Sequence, residues 1–164
     1  MQELTHSKRI SAGVWSNAAR MFFAPWYFVG SLIHAWCGLT NGRVYEVLGR
    51  SGMFAVSREL WGTVVMPHIT FLALLLAAFE MATGIMMLSK SRCVHYALGA
   101  SILFNLFLVQ LGLGFQAVPW SGRDFFLNRL SCLLFAALQV PLFWVDFDLT
   151  FPGFLRAGCT GSRS

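Results

Sequence analysis

The sequence predicts an all-α polytopic membrane protein: a bundle of four transmembrane helices with a short interfacial helix between the first and the second. Three observations predict it. The 164 residues are 57% apolar and only 12% charged, whereas soluble domains average about 45–50% and about 25%. Four apolar runs are each long enough to cross a hydrocarbon core of about 30 Å as a helix. Many of the 16 Phe and 6 Trp flank those runs, at the level where aromatic rings meet headgroups. Runs of this length without two-residue alternation suit helices and not the strands of a membrane barrel.

The elements follow in chain order. Residues 1–20 read as a basic cytoplasmic segment. Residues 21–39 form the first helix, retained because no small-x-small cleavage site follows it before Gly42. The link 40–61 alternates Arg43, Glu46, Arg50, Arg58 and Glu59 with Val44, Val47, Leu48, Phe54, Val56 and Leu60. That pattern predicts the interfacial helix, interrupted at Gly49 and Gly52. The second helix covers 64–88, with Pro67 in its first turns, where a missing N–H costs little. A polar turn, 89–92, leads to the third helix, 94–116. A loop at 117–124 carries Pro119 and Trp120. The fourth helix, 126–147, contains Pro141, expected to kink it and free the carbonyl of Ala137. Residues 148–164 form a short cytoplasmic tail. Its end, AGCTGSRS, fits no prenylation pattern, and the chain has no Asn-x-Ser/Thr acceptor.

Lysine and arginine placement orients the bundle. Lys8, Arg9, Arg20, Lys90, Arg92, Arg156 and Arg163 share one side; Arg43, Arg50, Arg58, Arg123 and Arg129 share the other. Seven against five predicts both termini in the cytoplasm of a protein in the cell membrane. The net charge of +5 therefore speaks of orientation and anionic lipid. No basic stripe is interleaved with aromatics, so a nucleic-acid partner is not expected.

Polar residues inside the apolar runs are the functional candidates. Glu80 lies eight residues, about 12 Å, from the cytoplasmic end of the second helix. Gln139 lies eight residues from the same side on the fourth. Asn105 lies eleven residues, about 16 Å, into the third. The three define one polar layer. An acid in hydrocarbon costs on the order of 3 kcal/mol, so Glu80 should face the bundle interior, protonated or hydrogen-bonded to amides. One reading is that the layer only fixes helix register; the other is a proton, quinone or substrate role. Toward the opposite side, His34 and Cys37 share a helix face, with His68 and Cys132 at similar depth. His34 and His68, with Asn105 and Gln139, are candidate ligand-binding residues, and Glu80 is the candidate catalytic acid. No tight C-x-x-C or H-x-x-x-H spacing points to a metal; a Cys37–Cys132 bond is the alternative use of the thiols. Arg129 is expected either to snorkel outward or to pair with an acidic loop residue, and Asp146 and Asp148 to be solvated.

The segments "GSLIHAWCGL", "VYEVLGRSGMFAVSREL", "PHITFLALLLAAFEMATGIMMLSKSR" and "VHYALGASILFNLF" together resemble the DoxX-like membrane proteins. That likeness covers most of the chain, about residues 21–147. Members of that family are four-helix bundles whose second helix carries a glutamate, a glycine four residues on, then a turn ending in arginine; Glu80, Gly84 and Arg92 match. Many members also place a lysine just after the first helix, where the nearest basic residue here is Arg43. The resemblance implies an accessory subunit of a quinone- or thiol-linked redox system, with quinone as cofactor, a membrane redox partner, and Glu80 as the functional acid. Read from the residues alone, the alternatives are a non-enzymatic binder or carrier of a lipid or other small hydrophobic ligand, and a scaffold subunit or homo-oligomer.

Overall fold

The computed structural model describes residues 10–115 and 121–153. Lys8, Arg9, Arg156 and Arg163 of the charge pattern, Cys159, Pro119, Trp120 and the last residue of the expected third helix, Gln116, lie outside the described residues.

Helix α1 (Val14–Thr40) starts after Gly13, whose carbonyl accepts from the Ser16 hydroxyl, the Asn17 amide and the Asn17 N–H. It therefore begins well before the first apolar run. No side chain caps its first N–H groups; the polar side chains of its first turn close back on the Gly13 carbonyl. It ends at Asn41, whose N–H donates to Cys37 O. A 3-10 turn (Gly42–Tyr45) passes into the short α2 (Glu46–Arg50), within the link where a short interrupted helix is expected. The rest of the link belongs to the next helix. Helix α3 (Ala55–Leu60) runs through a π-helical turn (Trp61–Val65) and a 3-10 turn (Met66–His68) into α4 (Ile69–Met87). Pro67 thus sits inside one long helical rod. The widened turn before it and the tightened turn around it accommodate the missing N–H.

Helix α5 (Arg92–Leu111) stops where Gly112 and Gly114 take positive φ, a conformation that glycine adopts without penalty. The last rod is α6 (Gly122–Asp124), a π-helical turn (Phe125–Arg129), α7 (Leu130–Gln139) and a 3-10 turn (Val140–Trp144). Pro141 marks the change from α to 3-10. The Ala137 carbonyl is not left free as expected: the Val140 N–H takes it. Residues 145–146, expected to be helical, form a strand instead, β2 (Val145–Asp146), which pairs in parallel with β1 (Ile10–Ser11). Both ends of the described chain therefore meet at one end of the molecule.

Three helical stretches are long and apolar enough to cross a membrane: Ala55–Met87, Arg92–Leu111 and Gly122–Trp144. Helix α1 has the length, 27 residues, or about 40 Å, but its apolar run is diluted by Pro25, Gly30, Ser31 and His34. It packs antiparallel along α4 through small residues. A Cβ on Gly38 would stand 2.7 Å from that of Ala73, and one on Gly84 2.8 Å from the Phe28 ring. The Ser31 hydroxyl donates to Ala77 O at 2.7 Å. Such close approach is how helices associate where no hydrophobic drive separates them from lipid.

The buried apolar core is small: Phe23, Tyr27, Met87, Val94, Leu98, Leu142, Val145 and Phe147 gather near the paired strands. Phe22, Leu32, Trp36, Phe71, Leu75, Leu103, Phe126 and Leu138 are exposed. In water so many exposed large apolar side chains would be anomalous; in lipid they are at home. Two arginines point inward. Arg129 does not snorkel; it pairs with the loop acid Asp124 at 2.8 Å. Arg20 is buried against the 89–92 turn.

Candidate functional site

Glu80 projects from the middle of α4 into a cavity of about 320 Å³ between α1 and α5. It is 6% exposed, as expected of an acid that cannot face lipid. Gly30 on α1 makes the space for it: a Cβ there would lie 2.6 Å from Glu80 Oε2 and 3.0 Å from Oε1. One turn further along α1, His34 Nε2 is 3.7 Å from Glu80 Oε1. The other ring nitrogen of His34, Nδ1, is 2.6 Å from the Tyr45 hydroxyl, and the two rings stack with centroids 5.7 Å apart. Tyr45 is fixed in turn by Trp61, whose Nε1–H donates to the Tyr45 carbonyl at 2.9 Å.

These contacts set a direction for the polar line. Burial pushes the Tyr45 hydroxyl up to about 12, so at neutral pH it keeps its proton and can donate to Nδ1. The His34 tautomer with the proton on Nε2 then aims an N–H at Glu80, whereas the other would oppose a lone pair to the carboxylate. Glu80 Oε2 is left: it is buried and has no hydrogen-bond partner among the described residues.

Asn105 lines the same cavity. Its amide donates to the Tyr27 hydroxyl at 3.2 Å and to Ser101 O at 2.9 Å, and the Tyr27 hydroxyl bonds the Ser101 hydroxyl. The rest of the wall is apolar or aromatic: Trp26, Ile33, Trp61, Leu76, Phe104, Phe107, Leu108 and Leu111 among others. The rim opens between α1 and α5, where Trp26, Val29, Ile33 and Phe107 are exposed.

Of the sequence candidates, Glu80, Asn105 and His34 therefore share one site. Gln139 is fully buried, yet its amide turns back to Phe135 O on its own helix at 3.0 Å, and it is not part of the cavity wall. Depth along a helix placed it in the layer; the face it presents removes it. His68 is exposed where the long second rod tightens and lies apart from the site. Cys37, Cys93 and Cys132 carry free thiols, and no cluster of three metal-ligating side chains occurs among the described residues. Gly30, Tyr27, Tyr45 and Trp61 were not anticipated as site residues. A glycine one turn before His34 on the same face was the available hint for Gly30.

Gly30 yields a direct test. Gly30→Ala must drive the carboxyl off α1 and away from His34. We expect a loss of about 1–3 kcal/mol, read as a lowered melting temperature in nonionic detergent. Gly62→Ala is the control. Nothing lies within 4 Å of a Cβ at Gly62, so this helical Gly→Ala should leave stability unchanged or raise it by up to about 1 kcal/mol.

Comparison with protein families, with curated proteins and with solved structures finds no match, and the functional reading rests on the geometry of the site.

Proposed function

We propose that this chain is an integral membrane protein of four crossings, with both termini on the cytoplasmic side of the cell membrane, that binds a small lipophilic molecule entering sideways between α1 and α5. The observation that carries the binding reading is the Glu80 carboxyl in the wall of a mostly apolar cavity, its buried Oε2 without a hydrogen-bond partner among the described residues. Polar atoms buried without partners are costly, and ligand pockets are typically apolar with a few convergent polar groups. The antiparallel run of α1 along α4, from Arg20 beside Met87 to Gly42 beside Ile69, supports α1 as a fourth crossing. The β1–β2 pairing supports an even number of crossings.

Leu108 lines the cavity, so Leu108→Trp should fill it. Native mass spectrometry after gentle extraction is expected to find a small hydrophobic molecule retained by the wild type and absent from Leu108→Trp. No retained molecule in several detergents, with the variant indistinguishable, would sink this reading.

A second reading draws on the Tyr45–His34–Glu80 line. The resemblance to DoxX-like proteins supports an accessory role in a quinone- or thiol-linked redox complex, in which that line would pass a proton to or from the bound molecule. Under it, Glu80→Gln lowers quinone reduction in membranes at least tenfold; an unchanged rate would exclude the proton role.

A further inference from the structure

The polar groups around the cavity restrict the chemistry of what it takes. The nearby donors are engaged. Both amide hydrogens of Asn105 go to Tyr27 and Ser101 O, Trp61 Nε1–H goes to the Tyr45 carbonyl, and the His34 ring lies between Tyr45 and Glu80. What remains without a partner among the described residues is an acceptor, the buried Glu80 Oε2. A complementary ligand is a donor.

The walls choose among donors. Six aromatic side chains line the space: Trp26, Tyr27, Tyr45, Trp61, Phe104 and Phe107. The face of an aromatic ring attracts a cation and offers nothing to a carbonyl oxygen. Among the described residues no lysine or arginine lines the cavity. The His34 ring stands 3.7 Å from Oε1, too far for a hydrogen bond; a buried carboxylate is expensive, and a ligand cation would neutralise it through a charge-assisted hydrogen bond, about twice as strong as a neutral one.

We propose that the cavity binds a protonated lipophilic amine, its ammonium on the Glu80 carboxyl and its apolar body between Phe104 and Phe107 of α5 and Trp26 of α1. This rests on the binding reading above and goes further by naming the ligand's charge. The cavity volume of about 320 Å³ lies at the small end of ligand sites, which suits a compact amphiphile with one cationic head. Entry from the bilayer suits such a molecule too, since amphiphilic amines collect at the membrane interface.

The test uses the full chain in nonionic detergent and two probes of one skeleton, phenylbutylamine and phenylbutanol, with protein-free micelles as blank. Calorimetry on the wild type at neutral pH should show the amine binding at least tenfold more tightly than the alcohol. In Glu80→Gln the amine should weaken at least tenfold and the alcohol change less than threefold. Equal or tighter binding of the alcohol by the wild type overturns the cationic ligand and leaves lateral binding standing. So does amine binding that Glu80→Gln does not move. The wild-type comparison decides even if the variant does not fold. Binding of neither probe, with Leu108→Trp without effect on retained ligand, overturns both readings together.

Discussion

Arg129→Met is expected to cost about 3–5 kcal/mol of stability, the usual loss when one member of a buried ion pair is removed. The guanidinium is 2% exposed. Its Nε donates to Asp124 Oδ2 at 2.8 Å, and one terminal nitrogen donates to Asp124 Oδ1 at 3.2 Å and to Ser51 O at 2.9 Å. The other donates to the carbonyls of Val109 and Gln110. One side chain thus joins the α2–α3 link, the end of α5 and the start of the last rod. Methionine matches its apolar stem but takes the countercharge from Asp124 and a donor from the carbonyls of Ser51 and Val109; Gln110 O keeps the Met53 N–H. Arg129→Lys should fall between wild type and Arg129→Met, because a point charge cannot supply the planar fork. The double change Asp124→Leu with Arg129→Met should recover part of the loss, since it leaves no buried charge uncompensated, while the carbonyls of Ser51 and Val109 and the Asn128 amide still lose a partner. Melting in nonionic detergent measures all three; a single variant as stable as wild type would refute the account. The consequence reaches the site as well. Leu48, Leu111 and Leu113 wall the cavity on the segments that Arg129 holds together.

That arginine also marks where reading the chain stops being sufficient. Apolar runs located the three long membrane-competent stretches, and the cost of an acid in hydrocarbon turned Glu80 inward. Both follow from solvation alone, which is a property of composition along the chain. What joins distant segments is different. His34 and Tyr45 are eleven residues apart across a chain reversal, and their stacking depends on how Gly42–Tyr45 tightens. Gly30 matters only because Glu80, fifty positions later, lies against it. Gln139 fails for the matching reason. Its depth was legible, but the face it presents depends on how the last rod is rotated. Arginines mislead most, because counting them for orientation presumes that they are solvated. Helix α1 shows the same limit: it starts at Val14, where Ser16 and Asn17 side chains donate back to the Gly13 carbonyl, well outside the apolar run.

Arg20 carries the second large effect. The charge pattern places it on the cytoplasmic side, and there it is 1% exposed. Its Nε donates to Met87 O at 2.8 Å, and its terminal nitrogens reach Asn17 Oδ1 at 3.0 Å, Leu149 O at 3.3 Å and Ser89 O. Its carbon Cζ stands 4.8 Å over the Phe147 ring. The Met87 carbonyl belongs to the end of the second rod, where a helix leaves its last carbonyls without intrahelical partners, and that of Ser89 to the turn just after it. A cation is favoured there by the helix dipole as well. Arg20→Met removes these bonds at once, and at about 1.5–3 kcal/mol for each charged bond, reduced by water reaching the turn, the expected loss is about 2–4 kcal/mol. The neighbours say how it would show. Ser91 N–H donates to Phe147 O at 2.7 Å and Ala12 N–H to Asp146 O at 3.1 Å, so the paired strands, the 89–92 turn and the start of α1 share one anchor. Hydrogen exchange should therefore rise at Ala12, Ser91 and Val145 before it rises in the middle of α4 or α5. Uniform exchange across the helices, or protection at those three positions equal to wild type, would show that Arg20 is not what holds the two ends of the chain together.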